Sequence, residues 1–365
     1  VSTARALTGA VLLDLAVSPL FAWDVVTGVL GRELGVGHAV LAGVFSVGLL
    51  AFMLGVLLGG RAADAVAPRR LALVALAGTV LGLLGSAAAS SVVVLFLTFG
   101  VLVGGSTGLG YATAVRVAGT VASGRGLALG LVVSAYAAGT AVLAPVVSSL
   151  VGAVGRAATF VVLAAALGVL LAVAAVLVPG ERPARTTREK ARATRPVVAL
   201  WLAFGLGSAP GLAAFAQAGN LSGAAVALAV ALLNVGNFAG RLVAGPLSDR
   251  VGRRAALHAN SGLLVLACVP LATGATGPVA LVALLLLGTQ YGALSALIPA
   301  ATSDVVPPER FGTTYGRVFT GWGVAGLVAP VTAAGVAGLV GYGVVYAGFL
   351  GLAALSWACV AAYAR

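Results

Sequence analysis

Apolar runs of about 20 residues, broken by short polar stretches, recur from one end of the chain to the other. That length lets a helix cross the hydrocarbon core of a bilayer. The pattern predicts twelve spans, at 6–30, 40–59, 71–90, 92–117, 126–151, 156–178, 197–218, 222–247, 255–274, 278–302, 314–340 and 341–364. One long polar connection, "PGERPARTTREKARATRP" at 179–196, lacks apolar periodicity and reads as a solvated linker. The expected fold class is an all-α membrane protein of twelve transmembrane helices. Its expected organisation is a six-helix bundle at 1–178, the linker at 179–196 and a second six-helix bundle at 197–365.

Composition excludes a water-soluble globule. Of 365 residues, 61% are hydrophobic and 8% charged, against about 25% charged in soluble domains. The net charge of +12 raises the question of nucleic acid, and the placement of the charges answers it. The even-numbered connections hold Arg61, Arg69, Arg70, Arg125, Arg182, Arg185, Arg188, Lys190, Arg192, Arg195, Arg250, Arg253, Arg254 and Arg310. The odd-numbered ones hold only Arg32 and Arg156. By the positive-inside rule both termini are expected in the cytoplasm of a multi-pass protein of the plasma (inner) membrane. The basicity is then topology, and no nucleic-acid partner is expected.

The first span is long for a signal peptide, carries Asp14 and Asp24 and lacks a small-x-small cleavage site, so it reads as a retained helix. Cys268 and Cys359 have no C-x-x-C spacing, and neither His38 nor His258 has a ligand partner at i+4. No metal and no cofactor are expected, and with no Ser-His-Asp or Cys-His constellation in view, an enzyme is not expected either.

The chain repeats itself across the linker. "GGRAADAVAPRR" (59–70) aligns with "AGPLSDRVGRR" (244–254), placing Gly60 on Gly245, Asp64 on Asp249 and Arg69 on Arg254, each 185 residues apart. "GTAVLAP" ends at Pro145 and "GVAGLVAP" at Pro330, again 185 apart. One offset at two distant places points to duplication of a six-helix unit. A carboxylate at a helix end, as at Asp64 and Asp249, can accept helix N-terminal N–H groups or guanidinium donors and so close one face of such a protein.

The segment from Gly245 to Arg254, "GPLSDRVGRR", resembles the cytoplasmic signature of the major facilitator superfamily. That resemblance implies two pseudo-symmetric six-helix bundles with substrate near the midplane between them. It assigns a cytoplasmic gate to Gly245, Asp249, Arg250, Gly252 and Arg253, with Asp64 and Arg69 from the first copy. The first copy departs at Ala67 and Pro68, where Gly and Arg stand in the pattern.

The chain is similar, more narrowly, to the oxalate/formate antiporter family and its monocarboxylate-transporter relatives. The similarity lies in Pro19, Phe21 and Trp23, in "GLGY" ending at Tyr111, in "RGLALG" at 125–130, in "NFAGR" at 237–241 and in "VFTGWGVAGLVAP" at 318–330. It implies that Arg241 binds a substrate carboxylate. Alignment of "FTGWG" puts Trp322 where oxalate exchangers carry a lysine, and Lys190 in the linker is the chain's only lysine. One cationic anchor suits a monoanion, and an aromatic wall suits a small organic body.

The eighth span argues from its own residues as well. Asn234, Asn237 and Arg241 fall within about 60° on a helical wheel, and Gly236 with Gly240 permits a neighbouring helix to come close. An arginine within hydrocarbon faces a cavity or a partner, and its planar fork matches a carboxylate. The competing account is snorkelling, because Arg241 lies about 9 Å from the cytoplasmic end of its span. Arg116 and Arg317 also lie near helix ends and read as snorkelling. A carboxylate inside the membrane is expensive when charged, which makes Asp24 the candidate proton carrier, with Asp14 behind it. Tyr111, Trp322, Tyr291, Gln290 and Trp23 are expected to line the cavity.

The function expected is secondary transport of a small monocarboxylate, lactate- or pyruvate-like, coupled to protons by alternating access. The expected partners are that anion, protons and the lipid bilayer, with the chain acting as a monomer. The alternatives are organic-anion exchange of the oxalate/formate type, a drug/proton antiporter and a membrane sensor without transport.

Overall fold

The computed structural model describes residues 2–183, 194–222 and 226–363. Most of the linker, including Arg185, Arg188, Lys190 and Arg192, lies outside them, as does Arg365. The described residues form helices joined by short turns, without a strand. Eleven of their helical stretches are long and apolar enough to cross a membrane.

The breaks between helices follow local chemistry. The first stretch runs as α1 (Thr3–Ala16) and α2 (Trp23–Leu34), separated by a tight turn at Pro19–Ala22, where Pro19 lacks the N–H that would continue α1. Next come α3 (His38–Ala63) and α4 (Pro68–Ala87). The following span begins as α5 (Val92–Leu95), passes through wider π-type turns at Phe96–Val103 and ends as α6 (Gly104–Gly119).

The helical run α7 (Arg125–Leu177) has 53 residues, about 80 Å of helix, more than twice the hydrocarbon thickness of about 30 Å. It bends at Gly155, where φ is +77°, a conformation that favours glycine. The run is therefore two crossings joined at a glycine, and the eleven stretches make twelve spans. After the linker come α8 (Arg195–Ser222), α9 (Val226–Val251), α10 (Arg253–Ala272), α11 (Gly277–Val305), α12 (Phe311–Val340) and α13 (Tyr342–Tyr363).

The chain forms two compact units. Unit 1 comprises Val1–Val121, Ala135–Arg188 and Pro308–Gly316, and unit 2 comprises Ala122–Ser134, Glu189–Pro307 and Arg317–Arg365. The first turns of α7 thus belong with the second half of the sequence, and those of α12 with the first. Unit 2 is built on buried Leu264, Leu284, Leu287, Tyr346 and Phe349, among which the thiol of Cys268 packs as a small apolar group. Valines and leucines such as Leu58, Val169 and Val331 cover the outside, as a lipid solvent allows.

The seam between α9 and α11 positions the polar face of α9. A Cβ on Gly236 or Gly240 would strike the carbonyl oxygens of Leu285 and Thr289, and one on Gly288 or Gly292 those of Leu233 and Asn237. Two interlocked glycine pairs bring the backbones into contact, as the Gly236–Gly240 spacing predicts.

Candidate functional site

Arg241 is buried, and two of its three guanidinium nitrogens are committed inside unit 2. Nε donates to Oδ1 of Asn237, one turn earlier on α9, at 2.9 Å, and Nη1 donates to the carbonyl of Val133 on α7 at 2.8 Å. Nη2 has no partner among the described residues. The guanidinium carbon stands 5.9 Å from the centre of the Tyr291 ring, within cation–π range. Tyr291 in turn accepts a hydrogen bond from Nε1 of Trp322 at 2.8 Å, with Phe215 edge-on to it at 5.4 Å. Its partners lie on α9, α7 and α11.

The two aspartates found by the repeat each hold the start of a helix. Asp249, near the end of α9, accepts from the backbone N–H of Gly126 at 3.0 Å and of Leu127 at 2.9 Å, in the first turn of α7. Asp64, just past α3, accepts from Gly312 at 3.0 Å and Thr313 at 2.6 Å, in the first turn of α12. First-turn N–H groups have no acceptor within their own helix, and the helix dipole favours negative charge there.

Beside each aspartate the backbones touch. A Cβ on Gly245 would collide with the carbonyl of Gly126, and one on Gly60 with that of Gly312.

The cations around the two carboxylates differ. Arg253 donates through Nη2 to Asp249 at 2.6 Å, through Nη1 to Ser248 Oγ, and through Nε to Asp304 at 3.0 Å. Arg125 lies 3.7 Å from Asp304 and extends this network. Asp64 is paired with Arg116, whose Nε lies at 3.3 Å. Arg116 therefore does not snorkel, because a buried carboxylate is within its reach. Burial pushes the Asp64 carboxyl above its ordinary range, against the opposing pull of Thr313, Arg116 and Gly312.

Gly252 has φ +90° and starts α10 by a turn that favours glycine. At the matching place Ala67 is extended (φ −57°, ψ 132°) and Pro68 opens α4, so the first copy needs no glycine.

The remaining candidates disperse. Arg69 donates to the carbonyls of Ala175 and Val176 at the far end of α7, each at 3.1 Å. Arg250 is exposed. Asn234 is exposed and bonds back to Val230 on its own helix. Trp23 is buried within unit 1, its N–H on the carbonyl of Leu41 and its ring against Phe99 at 4.4 Å. Tyr111, also in unit 1, shares a hydroxyl contact of 3.0 Å with Tyr315 beside Phe52 and Tyr136. Gln290 is buried, and among the described residues its Oε1 has no hydrogen-bond partner. Asp24 is exposed in the first turn of α2, whereas Asp14 on α1 is fully buried.

Sequence reasoning missed Val133, Asp304, Arg125 and the first turns of α7 and α12. Arg125, Gly126 and Leu127 stood in the sequence within the "RGLALG" similarity, with no partner assigned. Among the described residues no group of three His, Cys, Asp or Glu side chains comes together to hold a metal.

A family model described as Major Facilitator Superfamily matches residues 9–209 and again 197–365. The oxalate:formate antiporter of Oxalobacter formigenes is 28% identical over 236 residues, covering 59% of this chain and 55% of that one. The curated relatives are matched over only 16% to 55% of their own lengths. Among solved structures, the proton:xylose symporter XylE aligns over 98% of this chain and 95% of its own, with TM-score 0.78 at 14% identity. The human organic anion transporter MFSD10 aligns over 99% and 100%, with TM-score 0.74 at 17% identity. At these identities the structural likeness concerns the fold.

Proposed function

The chain belongs to the major facilitator superfamily, a family of multi-pass membrane transporters, and we propose that it moves a small monocarboxylate, together with a proton, by alternating access. The observation that carries this reading is the buried Arg241 fork, oriented by Asn237 and Val133 and facing the ring of Tyr291, whose hydroxyl accepts from Trp322. A guanidinium held this way offers a carboxylate charge-assisted hydrogen bonds at little cost in ordering. The likeness to an oxalate:formate antiporter supports an organic anion as substrate. Trp322 in place of a second cation favours one carboxylate over two.

Asp64 and Asp249, with Arg116, Arg253 and Gly245, work the gate in this proposal, by holding and releasing the first turns of α12 and α7. The gate face is assigned to the cytoplasm from the arginine distribution, in a plasma (inner) membrane protein with both termini inside. The proposed division is a first six-span bundle at 1–178 and a second at 197–365, acting as a monomer. Tyr111 and Gln290 remain proposed cavity residues. The proton carrier is placed on the first span. Both aspartates of that span are proposed as carriers, Asp24 exposed at the start of α2 and Asp14 buried on α1.

Purified protein in liposomes, offered labelled formate, acetate, lactate, pyruvate and oxalate with and without a pH gradient, tests the proposal. The expected result is uptake of a monocarboxylate driven by an inward proton gradient and lost in Arg241→Gln. Asp14→Asn and Asp24→Asn then identify the carrier by which one abolishes the pH dependence. The antiporter relative supports a second reading, anion exchange. It predicts uptake that requires internal substrate and ignores the gradient. Wild-type uptake by Arg241→Gln would sink both.

A further inference from the structure

The α7–α9 seam of unit 2 carries three contacts in a row. At one end Asp249 holds the N–H groups of Gly126 and Leu127. Next, Gly126 and Gly130 seat α7 against the backbone of α9 at Gly245 and Arg241. Then Arg241 itself donates to the carbonyl of Val133. Val133 stands seven residues beyond Gly126, about 10 Å along α7. The proposed anion anchor is thus also a tie between the two helices that the gate must separate.

The single Nε hydrogen is committed to Asn237, so two-point capture of a carboxylate falls to Nη1 and Nη2, which carry two hydrogens each. Nη1 gives one of its two to Val133, so a carboxylate that takes the other competes with that carbonyl for the position of the guanidinium. A carboxylate is a stronger acceptor for a guanidinium than a neutral carbonyl. The carbonyl of Val133, inside a helix, keeps its intrahelical partner when the arginine leaves.

We infer that Arg241 is a substrate-released latch: in the empty transporter it fastens α9 to α7 at Val133, and capture of a carboxylate draws it away, leaving Asp249 alone to hold the helix start. Substrate binding thereby loosens the seam whose opening admits the next step of the cycle. The latch rests on the monocarboxylate reading, which it extends from what binds to what binding does.

Hydrogen exchange on the full-length protein in nanodiscs tests it, because the first-turn amides of Gly126 and Leu127 have no intrahelical acceptor and their protection reports the seam. Without any ligand, Arg241→Gln is expected to exchange at 125–134 on the order of tenfold faster than wild type, the effect of losing one charge-assisted hydrogen bond. Asp249→Asn gives the released reference. Saturating lactate is expected to speed the same amides in wild type, whereas lactamide, its neutral amide, leaves them unchanged. Binding is followed independently by Trp fluorescence.

Lactate that binds without speeding exchange overturns the latch and leaves the substrate reading intact. Equal exchange in wild type and Arg241→Gln without ligand also overturns it. If Arg241→Gln is fast but none of formate, acetate, lactate, pyruvate and oxalate binds wild type, the tie stands as structure, and both the substrate reading and release by substrate fall. Asn237→Ala, which frees Nε and keeps the charge, is a milder second variant expected to need less lactate for the same release.

Discussion

α3 and α9 carry the same seam twice, filled differently. Each ends near an aspartate that grips two consecutive N–H groups of another helix start, and each touches that helix through a glycine pair. The correspondence continues inward. A Cβ on Gly316 would press on the carbonyl of Val56 as one on Gly130 presses on that of Arg241. The offset of 185 that links Asp64 to Asp249 puts Phe52 opposite Asn237 and Val56 opposite Arg241. The backbone arrangement is shared, while the ionic chemistry at the midpoint belongs to α9 alone. Both copies keep the backbone seam, and only α9 carries a cation at its midpoint.

The sharpest way to break this comparison is to make α9 resemble α3. Arg241→Val installs the residue of the first copy at the equivalent seam position. Removing a buried, hydrogen-bonded charge from a binding site costs about 2–5 kcal/mol, so carboxylate uptake in liposomes should fall about thirtyfold or more. Arg241→Val also removes the tie to Val133 and leaves unfilled volume beside α7, so the thermal unfolding midpoint should fall modestly. A folded protein with a somewhat lower midpoint and lost uptake is the expected pair of results. Retained uptake would mean that the two copies do not differ in function at this point.

A smaller effect concerns the clamps. The second copy has the fuller signature, yet the first is the more deeply buried: the Asp64 side chain is 8% exposed and that of Asp249 is 24%. Asp64→Ala strands Arg116, itself 11% exposed, and breaking a buried pair costs about 3 kcal/mol or more. Asp249→Ala leaves Arg253 its bond to Asp304, and a partly exposed pair is worth about 1 kcal/mol. The unfolding midpoint should therefore drop further for Asp64→Ala than for Asp249→Ala. The reverse order would restore the signature as the better guide.

That ordering marks where sequence reading stopped. Hydropathy located every span, because lipid imposes one length and one composition on all of them. The repeat located both aspartates, because duplication leaves a fixed offset. The partners of those aspartates were hidden, since contacts between helices far apart in sequence leave no local period. Arg116 near a helix end reads as snorkelling from sequence alone, whereas the structure pairs it with Asp64. Ala67 and Pro68 looked like erosion of the motif, but they are a different way to make the same turn: an extended residue and a helix-opening proline replace a glycine at φ +90°. Trp23 sits inside unit 1 with its N–H on the carbonyl of Leu41, a partner that no periodicity reveals.

The smallest effect separates the two clamps by pH. Burial raises the Asp64 carboxyl above its ordinary range, so between the ordinary and the raised value the folded protein holds a proton that the unfolded chain has lost. Stability changes with pH as protons bound by the unfolded state minus those bound by the folded state, a negative difference here. The Asp64 contribution is therefore favourable below that window and is lost as pH rises through it. Asp64→Asn, which stays neutral throughout, should remove this decline while keeping an acceptor for the first turn of α12. Unfolding midpoints measured for wild type and Asp64→Asn from about pH 4 upward should converge in acid and separate as pH rises, with wild type falling relative to the variant. Parallel curves would mean that the Asp64 carboxylate is held as comfortably when charged as when neutral, the two N–H groups and Arg116 having offset its burial completely.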